Sequence, residues 1–379
     1  MLQNQQQLFD IPEDINYLNI ASQSPSFKAV EQAGVSAVLE KSHPYKIVTD
    51  TYFEPIIELK KLFAELVDVE DYNRIANIPS ASYGMATVAN NIVLHKDEEI
   101  LLIEEQFPSN YYVWEKLAAK FKAKIKLVKR PKTEVDQGIL WNKAILDAIS
   151  NKTALVSLGN IHWASGTLFN LKAIRKKTSK HNSLLIIDGS QSIGAYAFSV
   201  KEIKPDALIC AGYKWLFGPY GCGYGYFGSY FDHGVPIEEN WSNRLNSENL
   251  INLTNYESNY KPLANRYSSG EHASFIYVKM QIAALKQILK WTPSAIQAYC
   301  EDITRDAVIE LQKMGCYIEN PKDRTHHLFG VRLPDKLSLD TLKKELNVAK
   351  IFISFRGKYI RLSCHIYNTK EDFNSLVAC

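Results

Sequence analysis

Short apolar runs alternate with amphipathic segments along the first two thirds of the chain. Helical spacing of apolar residues predicts helices at Glu54–Val67, Tyr112–Phe121, Ile139–Ile149 and Leu171–His181. The runs predict buried strands at Ile100–Ile103, Ile125–Val128, Ala154–Leu158, Leu184–Ile187 and Ala207–Ala211. Continuous apolar strands separated by helices indicate an α/β fold with a mostly parallel sheet covered on both faces, which binds ligands at the carboxyl ends of its strands.

The pattern changes after about residue 260. Helices are predicted at Phe275–Trp291 and Pro293–Met314, strands at Leu328–Leu333, Ile351–Phe355 and Tyr359–Cys364, and a last helix from Thr369. We therefore expect a large domain over residues 15–260, preceded by an N-terminal arm of residues 1–14, and a small α+β domain over residues 261–379. No Pro/Gly/Ser-rich linker separates the two domains, so their boundary is expected to be packed.

Composition and charge narrow the functional classes. The 379 residues are 46% hydrophobic and 22% charged, and the net charge of +3 is too small to favour a nucleic-acid or membrane partner. No apolar run reaches the ~18 residues of a membrane span, and the first residues lack the pattern of a signal peptide. Six cysteines without paired spacing are typical of reduced thiols, so we expect a cytoplasmic protein without a metal site.

An acidic residue ends one of the predicted strands. Asp188 follows Leu184–Ile187 and is followed at once by Gly-Ser-Gln, which places Gln191 in a turn. The carboxylate is either the N-cap of a following helix or a functional group at the ligand-binding edge of the sheet. The spacing leaves both interpretations open.

A lysine follows the next predicted strand. Lys214 lies between Tyr213 and Trp-Leu-Phe, an apolar setting in which an ammonium group is unfavourable. Burial there would lower its pKa and supply the neutral amine that a Schiff base requires, whereas the alternative is an amine that reaches solvent past the aromatic rings. The glycines of Gly221–Gly228 alternate with other residues as in a strand and precede no helix, which excludes a dinucleotide fingerprint.

Two further segments have residues that suit anions. Ser80, Ala81 and Ser82 precede a helical pattern, and free amides at a helix start bind phosphate, although a plain serine N-cap is the alternative. Arg361 lies in an alternating strand pattern. An inward guanidinium would bind a carboxylate, but spacing alone favours an arginine that faces solvent.

In chain order, these segments resemble the class V aminotransferase family. These are the fold-type I enzymes that depend on pyridoxal 5'-phosphate (PLP), and they include cysteine desulfurases, kynureninase and isopenicillin-N-epimerase-like proteins. The similar segments are Tyr17–Ser22, Ser80–Tyr83, Gln106–Asn110, Asp188–Gln191, Tyr213–Lys214 and Arg361–Thr369. The resemblance implies a PLP cofactor, an amino-acid substrate and a homodimer with its sites at the subunit interface.

The resemblance also implies a role for each matching residue. Lys214 would carry PLP as a Schiff base and move the α-proton of the substrate, and Asp188 would keep the pyridine nitrogen protonated. Arg361 would bind the substrate carboxylate. The implied cofactor-binding set is Ser80, Ala81, Ser82, Phe107, His162, Asp188, Gln191, Tyr213 and Lys214. For Phe107 the alternative is core packing, and for His162 it is a structural histidine with satisfied hydrogen bonds.

Two departures from the family pattern affect the expected chemistry. Only Gly-Lys-Tyr-Ile separates Arg356 from Arg361, which leaves no room for the cysteine-bearing loop of cysteine desulfurases. Cys364 follows the arginine and is interpreted as a small buried hydrophobic residue, so desulfurase activity is disfavoured. Glu271 stands where family dimers place a threonine near the phosphate of the partner subunit, so a different contact is expected there.

The sequence thus predicts a PLP-dependent enzyme that acts on an amino acid through Lys214, with transamination as the first choice of reaction. An epimerase or a lyase of the isopenicillin-N-epimerase or kynureninase type would use the same residues. A PLP-binding scaffold without turnover is the remaining alternative.

Overall fold

A computed structural model describes residues 2–357 and 359–379 of the chain. Its α-helices are α1 (Lys28–Lys41), α2 (Asp50–Leu66), α3 (Ala81–Asn90), α4 (Tyr112–Phe121), α5 (Gln137–Ala148), α6 (Leu171–Lys180), α7 (Val200–Ile203), α8 (Phe275–Trp291), α9 (Pro293–Lys313), α10 (Leu339–Val348) and α11 (Lys370–Ala378). Its strands are β1 (Asn16–Tyr17), β2 (Ile75–Ile78), β3 (Glu99–Ile103), β4 (Lys124–Val128), β5 (Thr153–Gly159), β6 (Leu184–Asp188), β7 (Ala207–Ala211), β8 (Gly223–Phe227), β9 (Tyr317–Ile318), β10 (Leu328–Arg332), β11 (Ile351–Phe352), β12 (Ser354–Arg356) and β13 (Tyr359–Ser363).

A seven-stranded sheet forms the centre of the larger part of the molecule. Its strand order is β2-β8-β7-β6-β5-β3-β4. β8 is antiparallel to both of its neighbours, while the pairs from β7 to β4 are parallel. This arrangement confirms the predicted mostly parallel sheet, and it brings the carboxyl ends of β6 and β7 side by side.

Both faces of this sheet are covered, which explains why its strands read as continuous apolar runs. On β3, Ile100 and Leu102 pack into one core together with Trp114 of α4. The alternate residues Leu101 and Ile103 belong to the core on the other face. That second core continues into the C-terminal part of the chain, so the boundary predicted near residue 260 is packed.

The C-terminal part contains an antiparallel sheet of order β12-β13-β10-β9. The single strand predicted over Ile351–Phe355 is wrong, because the chain changes its pairing partner at Ile353. β11 pairs in parallel with β1, whereas β12 pairs with β13. The strand β1 of the N-terminal segment is thereby attached to the C-terminal part, and the domain limits 15–260 and 261–379 stay a prediction.

Helix α1 was not predicted because its buried face consists of small residues. Its buried positions are Val30, Gly34 and Ala37, which form no strong apolar stripe. A Cβ atom added at Gly34 would lie 2.9 Å from the sulfur of Met280 in α8, so the glycine permits the close approach of the two helices.

Within the described part of the chain, every helix falls short of the length and apolar character of a membrane span.

Candidate active site

A cavity of about 190 Å³ lies at the carboxyl ends of the central strands. Asp188 is the last residue of β6, and Lys214 follows three residues after the end of β7. Eight of the predicted site residues line this cavity: Ser80, Ala81, Ser82, Phe107, Asp188, Gln191, Tyr213 and Lys214. The fold therefore brings together segments from four separate regions of the sequence.

Lys214 lies between aromatic rings at the cavity wall. Lys214 is only 7% exposed. Its Nζ lies 5.4 Å from the ring centroid of Phe107 and 5.6 Å from that of Tyr213. Burial lowers the pKa of Lys214 to about 8, although the Asp188 carboxylate opposes this change, while Arg361 adds to it. The amine is therefore buried, as a Schiff-base lysine requires, and does not reach solvent past the aromatic rings.

Asp188 is fixed by the turn that follows it. Its Oδ1 accepts a hydrogen bond of 3.0 Å from the amide of Ser190, and the Ser190 hydroxyl accepts one of 3.1 Å from the amide of Ala211 on β7. Residues 190–195 form turns, not a helix, so Asp188 is not a helix N-cap. The carboxylate is held at the sheet edge next to the strand that leads to Lys214.

Gln191 has its side-chain amide oriented by two partners. Its Nε2 donates to the carbonyl of Ala21 (3.1 Å), and its Oε1 accepts from Trp215 Nε1 (2.9 Å). The backbone carbonyl of Gln191 lies 2.9 Å from His327 Nε2. Because Gln297 Nε2 lies 2.6 Å from the other ring nitrogen of His327, the neutral tautomer with its proton on Nε2 satisfies both contacts. One amide hydrogen of Gln191 is left for a ligand.

The first turn of α3 contributes serine hydroxyls and backbone amides. Ser80 is the N-cap, and its Oγ accepts from the amide of Tyr83 at 3.1 Å. Its Oγ also lies 3.0 Å from Ser82 Oγ. The N-cap is thus present, and it does not compete with anion binding, since the first amides of a helix have no acceptor within the helix. Ala81 and Ser82 line the cavity at this point.

Arg361 points inward, against what its spacing in the strand favoured. It is 2% exposed, and its cross-strand neighbours are Gly330 on β10 and Ser354 on β12, whose hydroxyl accepts a hydrogen bond of 3.3 Å from the guanidinium. The guanidinium donates to the carbonyl of Trp163 (3.2 Å) and to the hydroxyl of Ser22 (2.6 Å). Burial and then the charge of Arg356 lower its pKa to about 9, so it remains a cation at neutral pH.

The structure does not bring His162 to the cavity. Its ring is buried behind the wall, where it contacts Ser165 Oγ (2.9 Å), Arg130 (3.1 Å) and the carbonyl of Glu105 (3.2 Å). Burial and then Arg130 hold the pKa of His162 well below its usual range. These contacts are those of a structural histidine with satisfied hydrogen bonds, the alternative that the sequence left open.

The neighbouring Trp163 lines the cavity instead, and sequence reasoning missed it. Its ring meets Phe107 edge to face at 5.4 Å, and its Nε1 donates to the carbonyl of Glu105 at 2.7 Å. Arg356, at 5.4 Å from the Trp163 ring, adds a second cation to this side of the site. Both rings lie in Asn160–Gly166, and the prediction that His162 contacts the cofactor is wrong, because Trp163 lines the cavity in its place.

Glu271 lies apart from the cavity around Lys214. It is exposed and lines a separate surface pocket with Trp241 and Phe275. The preceding residue, Gly270, donates its amide to the carboxylate of Glu238. The contact of Glu271 with a partner subunit stays a prediction.

The residues present fit PLP on chemical grounds. The amine of Lys214 has no hydrogen-bond partner within the described chain, and Asp188 uses only Oδ1 in the protein contacts given above. The cavity thus combines a free amine for an aldehyde, a carboxylate for a ring nitrogen and helix amides for a phosphate. The faces of Phe107 and Tyr213 add an apolar wall.

Comparison with known proteins identifies the class. The family model for class-V aminotransferases matches residues 43–376. The uncharacterized aminotransferase YcbU of Bacillus subtilis is 25% identical over 319 residues, which are 83% of this chain and 80% of YcbU. A probable cysteine desulfurase of Haemophilus influenzae is 24% identical over 323 residues, 81% of this chain and 71% of its own. The apo structure of a cysteine desulfurase from Thermococcus onnurineus shares the fold with a TM-score of 0.85 at 15% identity, covering 100% of this chain and 97% of that one.

The chain belongs to the class-V aminotransferase family. It is a PLP-dependent enzyme of fold type I, which confirms the resemblance, the fold class, the enzyme class and the cofactor inferred from the sequence.

Proposed function

We propose that this enzyme transfers the amino group of an amino acid, with Lys214 as the residue that binds the cofactor and moves the proton. The observation that carries the proposal is the pair formed by the buried amine of Lys214 and the carboxylate of Asp188 at one cavity. PLP supplies an aldehyde that joins primary amines and a ring that accepts electrons from the substrate's α-carbon.

Each residue of the proposed site has one task. Lys214 Nζ, with a pKa lowered by burial, takes and returns a proton at the α-carbon. Asp188 would hold a proton on the ring nitrogen, and Gln191 would donate its remaining amide hydrogen to the phenolic oxygen. Ser80, Ala81 and Ser82 bind the phosphate through the start of α3, with Tyr213 beside them. Phe107, which lines the cavity, would pack against the cofactor ring.

Arg361 is proposed to bind the substrate carboxylate. Its guanidinium is held by Trp163 and Ser22, while its Nε has no partner in the described residues, so donor capacity is left for a ligand. Among the described residues Trp163 lines the cavity and Arg361 does not; the guanidinium lies 6.0 Å from the Trp163 ring, which the substrate would contact or displace.

Cysteine desulfuration is disfavoured by the geometry of β12 and β13. Arg356 pairs directly with Tyr359, so the two strands are joined by positions 357 and 358 alone, and no cysteine-bearing loop lies between them. Cys364 is fully buried, and its thiol donates to the carbonyl of His326 at 3.7 Å. We therefore propose for this chain a reaction other than the one for which several of its relatives are named.

The proposal includes a homodimer in the cytoplasm. Apolar side chains are exposed around residues 241–256, among them Ile251 at 96% and Tyr256 at 98%, and such patches favour subunit contact. All six cysteines are free thiols, as is usual in a reducing compartment. Light scattering coupled to size exclusion would measure twice the monomer mass if the chain dimerises.

The reaction is tested by mixing the holoenzyme with single amino acids and measuring products. Transamination converts the cofactor to its amine form and releases one equivalent of 2-oxo acid, without ammonia. Lys214→Ala should abolish this half-reaction, whereas Cys364→Ala should leave it intact. Racemised amino acid, released ammonia, or alanine formed from cysteine in a Cys364-dependent manner would each contradict transamination in favour of epimerisation, elimination or desulfuration.

A further inference from the structure

A second cavity lies between α2 and the segment of residues 242–272. Its volume is about 300 Å³, and it shares no lining residue with the cavity around Lys214. One wall is apolar and consists of Phe53, Ile56 and Ile57. Its polar lining groups include Lys60, which belongs to the same helix as the apolar wall, and Lys261 and Asn265.

Lys60 is buried in this cavity without a counter-charge. The residue is 3% exposed, and its Nζ donates to Asn265 Oδ1 at 2.8 Å. Within the described chain, no carboxylate oxygen lies within salt-bridge distance of this amine. An ammonium has three hydrogens to donate, so two remain without an acceptor among the described residues, an arrangement that is unfavourable for a buried cation. Burial and then the charge of Lys261 lower the pKa of Lys60 to about 7.

The other titratable groups of the cavity leave this charge uncompensated. Lys261 Nζ is paired with Glu248 Oε1 at 2.6 Å, so these two charges cancel. His272 is neutral at pH 7, because burial and then Lys60 lower its pKa to about 4, and its Nδ1 contacts the carbonyl of Ser269 at 2.9 Å. With Lys60 protonated, its ammonium is the uncompensated charge facing the cavity, and a bound anion would balance that charge and favour the protonated form.

We propose that this cavity binds a small monocarboxylate. The carboxylate accepts hydrogen bonds from Lys60, and a short apolar body packs against Phe53, Ile56 and Ile57. One negative charge fits the single uncompensated cation, and the apolar wall favours an organic acid over an inorganic anion. The proposal does not depend on the role of Lys214, since the two cavities have separate walls.

Isothermal titration of the holoenzyme with butyrate tests the site, with butanol as the neutral ligand of similar size. Butyrate is expected to bind saturably and butanol not. Lys60→Met should weaken butyrate binding roughly tenfold or more, the loss expected for one charged hydrogen bond. Lys286→Met is the matched control, because Lys286 lies on the surface of α8 and pairs with Glu58 of α2. Any binding at Arg361 persists in both variants, so the difference between the titrations reports this cavity.

Lys60→Gln provides a second variant that keeps a donor for Asn265 but removes the charge. Lys60→Gln should weaken butyrate binding as much as Lys60→Met does. If Lys60→Met does not fold, Lys60→Gln is used in its place. Butyrate binding that is equal in wild type and both Lys60 variants would overturn the proposal. So would the absence of saturable butyrate binding, or equally tight binding of butanol.

Discussion

The lowered pKa of Lys214 leads to a quantitative prediction for the apoenzyme. Burial is the main cause, and it moves the pKa from 10.5 to about 8. At pH 7 a lysine with a pKa of about 8 is roughly one-tenth neutral, which is about 300-fold more neutral amine than at the ordinary value. The folded apoenzyme should therefore contain one lysine that reacts with electrophiles far below the usual pH.

The same pKa change predicts how stability depends on pH. Between pH 8 and 10.5 the unfolded chain keeps the Lys214 proton that the folded chain has lost. Stability therefore rises with pH in this window, by up to about 3 kcal/mol for this residue alone. Below pH 8 both states are protonated, and the residue adds no slope.

The assay is acylation of the apoenzyme at a series of pH values, followed by peptide mass spectrometry. The labelling rate of Lys214 is divided by that of Lys116, which is exposed on α4. Burial slows access of the reagent equally at every pH, so it does not change the pH at which the labelling of Lys214 is half-maximal. We expect the labelling of Lys214 to have its midpoint near pH 8. A midpoint near the ~10.4 of a lysine in water would refute the reasoning.

Three further predictions concern groups around the site. Asp188→Asn removes the charge that raises the pKa of Lys214, so the labelling midpoint should fall further, and turnover should drop about a hundredfold or more in a steady-state assay. Trp215→Phe removes the 2.9 Å bond to Gln191, worth about 1 kcal/mol, and should shift the absorption maximum of the bound cofactor. Burial lowers the pKa values of His327 and His365 to about 3. Between about pH 3 and pH 6.5 only the unfolded chain therefore takes up protons on these two residues, which favours unfolding. Urea unfolding should give a free energy of unfolding that is about 2 kcal/mol lower per histidine at pH 5 than at pH 8.

Each of these predictions has an outcome that contradicts it. An Asp188→Asn enzyme with normal turnover would remove the carboxylate from the mechanism. An unchanged cofactor spectrum in Trp215→Phe would show that this bond does not orient Gln191. If the free energy of unfolding is the same at pH 5 and pH 8, both in the wild type and in His327→Gln, then protonation of the buried histidines does not distinguish the folded from the unfolded chain.

The chemistry at the sheet edge was accessible from the sequence because strands and turns are local features. Asp188 directly ends an apolar run, and Lys214 follows the next run at a short distance, so a parallel sheet brings both to one edge. In the structure β6 and β7 are parallel neighbours, as expected. The start of α3 is also a local feature, so the sequence could indicate that Ser80 and Ser82 lie at a helix N-terminus.

The orientation of Arg361 could not be read from its own strand. Its guanidinium is held by the carbonyl of Trp163 and the hydroxyls of Ser22 and Ser354, two of which come from distant parts of the sequence. Similarly, His162 and Trp163 are adjacent in an irregular segment, where no periodicity tells which ring faces the cavity. Lys60 belongs to an amphipathic helix, but its partner Asn265 is 205 positions away.

The central claim is that Lys214 is the residue to which the cofactor is attached. Reduction of the purified holoenzyme with sodium borohydride makes the bond between cofactor and lysine permanent, and peptide mass mapping then identifies the labelled residue. We expect one label per chain, on Lys214. A label on any other lysine, including the buried Lys60, or no label on a protein that carries stoichiometric cofactor, would contradict it.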